Sequence, residues 1–120
     1  MGKKILVVDD EADVRRFLTA VLEKNDYETL TAEDGVKALE VARREKPDLI
    51  ILDLMMPNET GTGFYRKLSR DKELSQTPII VVSGLAGRDL AVRKPVAVFD
   101  KPINPDEFIA AVEKALAGSS

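Results

Sequence analysis

The chain contains no cysteine and no histidine, and each absence closes off a kind of chemistry. Without cysteine a disulfide scaffold is excluded. Without histidine no imidazole base or phosphohistidine can reside here. The apolar runs are all too short to cross a bilayer, and Met1 to Lys4 lead directly into a β-rich run rather than into the apolar region of a signal peptide. The expectation is therefore a cytoplasmic protein. Phosphate-cradling glycine loops are also lacking: there is no complete GxGxxG and no GxxxxGK[ST], and Gly61-Thr62-Gly63 lacks the third glycine. Positive charge is not in excess. Eighteen basic against twenty-one acidic residues leave a net charge of −3, so the average field opposes binding to nucleic acid or to an anionic membrane.

What is present is the balance of one ordinary globular domain, residues 1–120, with 44% hydrophobic and 32% charged residues. Short apolar runs alternate with helical periodicity. Lys4-Val8 reads as a strand covered on both faces, and Val14, Phe17, Leu18, Val21 and Leu22 then form a helical stripe that would pack on a sheet. Glu28-Ala32 is a second strand. Asp34 caps a helix whose inner face is Gly35, Ala38, Leu39 and Ala42, and Pro47 ends it. Asp48-Leu52 is the third strand. A loop with Pro57, Gly61 and Gly63 precedes a helix carrying Phe64, Tyr65 and Leu68, followed by strands at Pro78-Val82 and Val96-Phe99. Asn104 caps a last helix with Pro105 at its first position and Phe108, Val112 and Leu116 inside. This is an α/β chain of the (βα)5 type, a flavodoxin-like three-layer sandwich with a parallel sheet in the order 2-1-3-4-5. Only residues 84–95 separate Ser83 from Val96, and they include Gly87 and Pro95, so the fourth helix is expected to be shortened to at most about two turns or to be irregular.

In such a sheet Asp9 and Asp10, Asp53 and Lys101 follow strands that end on one edge. Like charges brought together raise one another's pKa unless something neutralises them, and a hard cation such as Mg2+ takes oxygen ligands from one or two carboxylates plus a phosphate. Asp9 and Asp10 are the residues to hold such a metal. Asp53, ending the central strand, is the candidate phosphoryl acceptor. Lys101 offers a point charge, and Ser83 a hydroxyl, for phosphoryl oxygens. Since the chain has no histidine, any phosphohistidine donor belongs to another molecule. A lone aspartate after a strand is ordinarily a turn or cap residue, and a lone serine there an N-cap. It is the combination that favours the functional reading.

The residues Val7-Val8-Asp9-Asp10-Glu11, Asp53-Leu54-Met55-Met56-Pro57 with Gly61, Ser83-Gly84 and Lys101-Pro102 together resemble the receiver domain of two-component response regulators, over essentially the whole chain. The resemblance implies a signalling phosphoacceptor rather than an enzyme, phosphorylated at Asp53 by a sensor histidine kinase or a phosphotransfer protein. It implies Mg2+ bound by Asp53, directly by Asp10, largely through water by Asp9, and by the backbone carbonyl of Met55. Ser83 would be the switching hydroxyl and Lys101 the phosphate-binding lysine, with a candidate cis peptide bond between Lys101 and Pro102. One position departs from the pattern: three residues before Lys101, where many receivers carry a switch aromatic, stands Val98, and Phe99 is one place later. In a strand that shift puts a side chain on the opposite face. Two other classes compete with a phosphorylation switch: a receiver-like interaction module that no longer switches, and a flavin or nucleotide enzyme on the same fold. The acidic loop Asp9-Asp10-Glu11 repels a phosphate unless a metal is present, which disfavours the last.

Overall fold

The computed structural model of the chain describes residues 3–53, 60–82, 97–99 and 103–117. The elements are β1 (Lys4–Val8), α1 (Ala12–Lys24), β2 (Glu28–Ala32), α2 (Gly35–Glu45), β3 (Leu49–Asp53), α3 (Thr60–Arg70), β4 (Ile79–Val82), β5 (Ala97–Phe99) and α4 (Pro105–Ala117). The strands form one parallel sheet in the order β2-β1-β3-β4-β5. Those described elements match the expected alternation and strand order. The expected short helix between β4 and β5 lies outside the described residues.

Alternation along each central strand builds two cores. Leu6, Val8, Ile50, Leu52 and Val81 point to the face covered by Ala38 and Ala42 of α2 and Phe64 and Leu68 of α3. Their neighbours Ile5, Val7, Leu49, Ile51, Ile80 and Val82 point to the other face, where Leu18 and Leu22 of α1 meet Phe108, Val112 and Ala115 of α4. The period of two thus explains why these strands are apolar throughout rather than at alternate positions. Full burial of each such side chain contributes about 1.5–3 kcal/mol.

Local signals set the helix ends. The Asp34 carboxylate accepts from the Lys37 amide at 2.9 Å, and Lys46, with φ at 48°, closes α2 in the left-handed region just before Pro47. Asn104 Oδ1 accepts from the amides of Asp106 at 2.9 Å and Glu107 at 3.1 Å, which satisfies two of the free donors at the start of α4. No helix among the described residues is long and apolar enough to cross a membrane.

Three expectations change. Helix α3 begins at Thr60, so Gly61 and Gly63 lie in its first turn rather than in the preceding loop. Glycine costs roughly 1 kcal/mol in a helix, which burial of Phe64 and Leu68 further along the helix outweighs. Phe17 is 40% exposed: it stands at the flank of the α1 stripe, about 100° around the helix from Leu18, while Leu18 and Leu22 take the centre. In α4 the third fully buried residue is Ala115, and Leu116 packs against the core only in part.

Candidate functional site

The site begins with backbone register. Val8 of β1 pairs with Leu52 of β3, so one step further along both strands Asp9 and Asp53 arrive side by side at the carboxyl edge. Asp53 is still a strand residue, aligned with Val82 of β4, and both aspartates are 1% exposed. Burying two carboxylates at adjacent positions calls for compensating charge or hydrogen bonds around them.

The loop after β1 is held at several atoms. The Asp9 amide donates to the Ala32 carbonyl on β2 at 3.2 Å, and the Asp9 carboxylate accepts from the Glu11 amide at 2.9 Å. That Asx-type closure turns the chain sharply into α1, whose first intrahelical bond runs from the Arg15 amide to the Glu11 carbonyl at 3.0 Å. The Arg15 guanidinium also donates to the Asp9 carbonyl, at 2.5 Å. The loop therefore presents Asp10 and Glu11, both exposed, beside the two buried aspartates.

One carboxylate oxygen from each of Asp9, Asp10, Glu11 and Asp53 lies within 4.8 Å of all the others. These donors are all hard oxygens, with neither sulfur nor imidazole nitrogen, and the set fits Mg2+ or another hard divalent ion rather than zinc or copper. Of the residues expected here, the structure brings Asp9, Asp10 and Asp53 together. Glu11 joins them without having been given a role in advance, although its place directly after the aspartate pair was the signal. Met55, Ser83, Lys101 and Pro102 lie outside the described residues.

At the neighbouring rim, Glu33 is held below its usual carboxylate pKa by a hydrogen bond and ion pair with Lys37, with a smaller contribution from the nearby Arg15 charge. Phe99 is half-buried on the α1 and α4 face, its ring edge-on to Phe108 with centroids 6.0 Å apart. It is committed to that core, as the one-residue offset from position 98 required.

A parallel five-stranded sheet in this order, with an acidic pocket after β1 and β3, is the framework of a phosphorylation-signalling receiver, and the chain belongs to that family: residues 5–113 match the response regulator receiver domain. It is a receiver domain of the two-component class. Among its relatives, Protein Rrf1 of Nitratidesulfovibrio vulgaris is 32% identical over 98% of this chain and 85% of its own length. The phosphate regulon transcriptional regulatory protein PhoB of Pseudomonas aeruginosa is 37% identical over 97% of this chain, which spans only 52% of that protein. The crystal structure of the chemotaxis response regulator CheY4 of Vibrio cholerae superimposes with a TM-score of 0.86 at 29% identity, covering 97% of this chain and all of CheY4.

Proposed function

We propose that residues 1–120 act as one phosphoacceptor receiver, in which Asp53 takes a phosphoryl group from a phosphohistidine of a histidine kinase or phosphotransfer protein. The observation that carries this reading is the convergence of four carboxylates within 4.8 Å at the carboxyl edge, in a chain of the receiver family. In the transfer, an Asp53 carboxylate oxygen bonds to phosphorus as the bond from phosphorus to the donor imidazole nitrogen breaks. The electron pair leaves with that nitrogen.

Asp9 and Asp10 would hold Mg2+ together with Asp53 and the Met55 carbonyl. When bound, the ion supplies charge that offsets the carboxylates and the incoming phosphoryl oxygens. Burial of Asp53 at the end of a rigid central strand fixes the acceptor oxygen and limits the water that competes with the donor. Lys101 and Ser83, the lysine and hydroxyl of the same edge in the sequence pattern, would bind the phosphoryl oxygens and relay a change of conformation to a partner. The chain would assist its own phosphorylation and dephosphorylation in the cytoplasm without being an enzyme acting on an external substrate, and its charge favours protein partners over nucleic acid.

Incubation with Mg2+ and a small phosphodonor, read by intact mass, tests the reading. A gain of one phosphoryl group in the parent chain and none in Asp53→Asn is expected. No gain in the parent, or an equal gain in Asp53→Asn, overturns the proposal.

A further inference from the structure

We infer that Arg15, on the first turns of α1, is a positioning residue for the cation site, an inference that rests on the reading of the acidic edge as a Mg2+ site. The Asp9 carbonyl that its guanidinium engages belongs to the peptide unit joining Asp9 to Asp10. Because that unit is planar, fixing the carbonyl direction also fixes the path to the Asp10 Cα, and with it where the Asp10 carboxylate starts. The same residue's amide holds the Glu11 carbonyl. With the Asp9 amide tied to Ala32 on β2 and the Asp9 carboxylate to the Glu11 amide, Arg15 completes a frame around the loop that carries three of the four clustered carboxylates. Four like charges push such a loop apart, and a half-buried, permanently charged donor on a regular helix is suited to resist them.

Charge and geometry make opposite predictions. A guanidinium beside an acidic cluster competes with a cation, so on charge alone Arg15→Met should tighten Mg2+ binding. If Arg15 positions the loop, the same substitution weakens it. The choice of ion separates positioning from general loosening, because Mg2+ requires near-octahedral ligands whereas Ca2+ tolerates flexible ones.

Calorimetric titration of the parent chain, Arg15→Met and Arg15→Lys with Mg2+ and then Ca2+ tests this, with circular dichroism of each metal-free protein as the check on folding. The expected result is a loss of about tenfold in Mg2+ affinity for Arg15→Met with a smaller loss for Ca2+, and an intermediate loss for Arg15→Lys. Unchanged or tighter Mg2+ binding in Arg15→Met, or equal losses for the two ions, overturns the positioning role. If Arg15→Met does not fold, Arg15→Lys carries the same comparison of ions. Absence of Mg2+ binding by the parent chain is a different failure, since it removes the cation site itself.

Discussion

The two edges of the sheet treat charge in opposite ways. At the amino edge, acids and bases alternate and meet as pairs: Lys4 with Glu45 at 3.1 Å, Arg43 with Asp71 at 3.5 Å and Lys46 with Glu73 at 2.7 Å, while the Lys4 amide donates to Asp48 at 2.8 Å. At the carboxyl edge, Asp9, Asp10, Glu11 and Asp53 bring like charge together. Exposed pairs of the first kind satisfy themselves within the chain and contribute little each. The second arrangement gathers repulsion that a cation, on the function proposed above, would relieve. Charge in this receiver is therefore paired at the first edge and gathered with one sign in the cluster at the second.

The sharpest way to break that contrast is Asp10→Asn. Mg2+ affinity should fall by at least about tenfold while the metal-free melting temperature stays level or rises, because one like charge is gone. Calorimetry and a melt in chelator check both, and a lowered metal-free melting temperature would place Asp10 among the stabilising charges instead. At the opposite edge, Asp71 accepts from the Glu73 amide at 2.9 Å and the Leu74 amide at 3.2 Å, which seats the buried Leu74 after α3. Asp71→Ala should cost about 1 kcal/mol in denaturant titration and leave Mg2+ affinity untouched.

Helix α3 runs from the acidic edge to the paired one, and its Gly63 has open space where a Cβ would stand. Gly63→Ala should therefore stabilise by about 0.5–1 kcal/mol by helix propensity. A destabilised variant would show that the glycine serves something other than the helix. The smallest effect is expected from Glu45→Gln. Hydrogen bonds from Lys4 and then Arg44 hold the Glu45 carboxyl below its ordinary value of 4.5, so its contribution is present above that value and is lost as pH falls through the lower folded pKa. In the variant, the melting temperature should lie slightly below that of the parent above pH 4.5 and converge with it as pH falls further, as thermal melts across that range will show.

Much of this architecture is legible in the residues themselves. Glu28–Ala32 matched its expected bounds, and the caps at Asp34 and Asn104 form the hydrogen bonds their side chains suggested. These are local effects, decided by a few neighbouring residues. The start of α3 was not legible, because Gly61 and Gly63 signal a loop by propensity and only the packing of Phe64 and Leu68 reverses that preference. Phe17 was placed too deep in the stripe for a similar reason, since helical spacing ranks residues by angle and the sheet decides how wide an arc is covered.

The same division runs through the site. By itself the sequence determined the chemistry at the carboxyl edge: hard oxygen donors, no histidine, and aspartates directly after apolar strands, which together imply a parallel sheet with a shared acidic end. Only the tertiary structure decided that Glu11 stands with Asp9, Asp10 and Asp53, that Arg15 grips the Asp9 carbonyl, and that Phe99 lies against Phe108. Composition and spacing specify which groups a chain can offer. Which of them meet is set by strand register and by the turn from β1 into α1, where contacts between distant residues outweigh local preference.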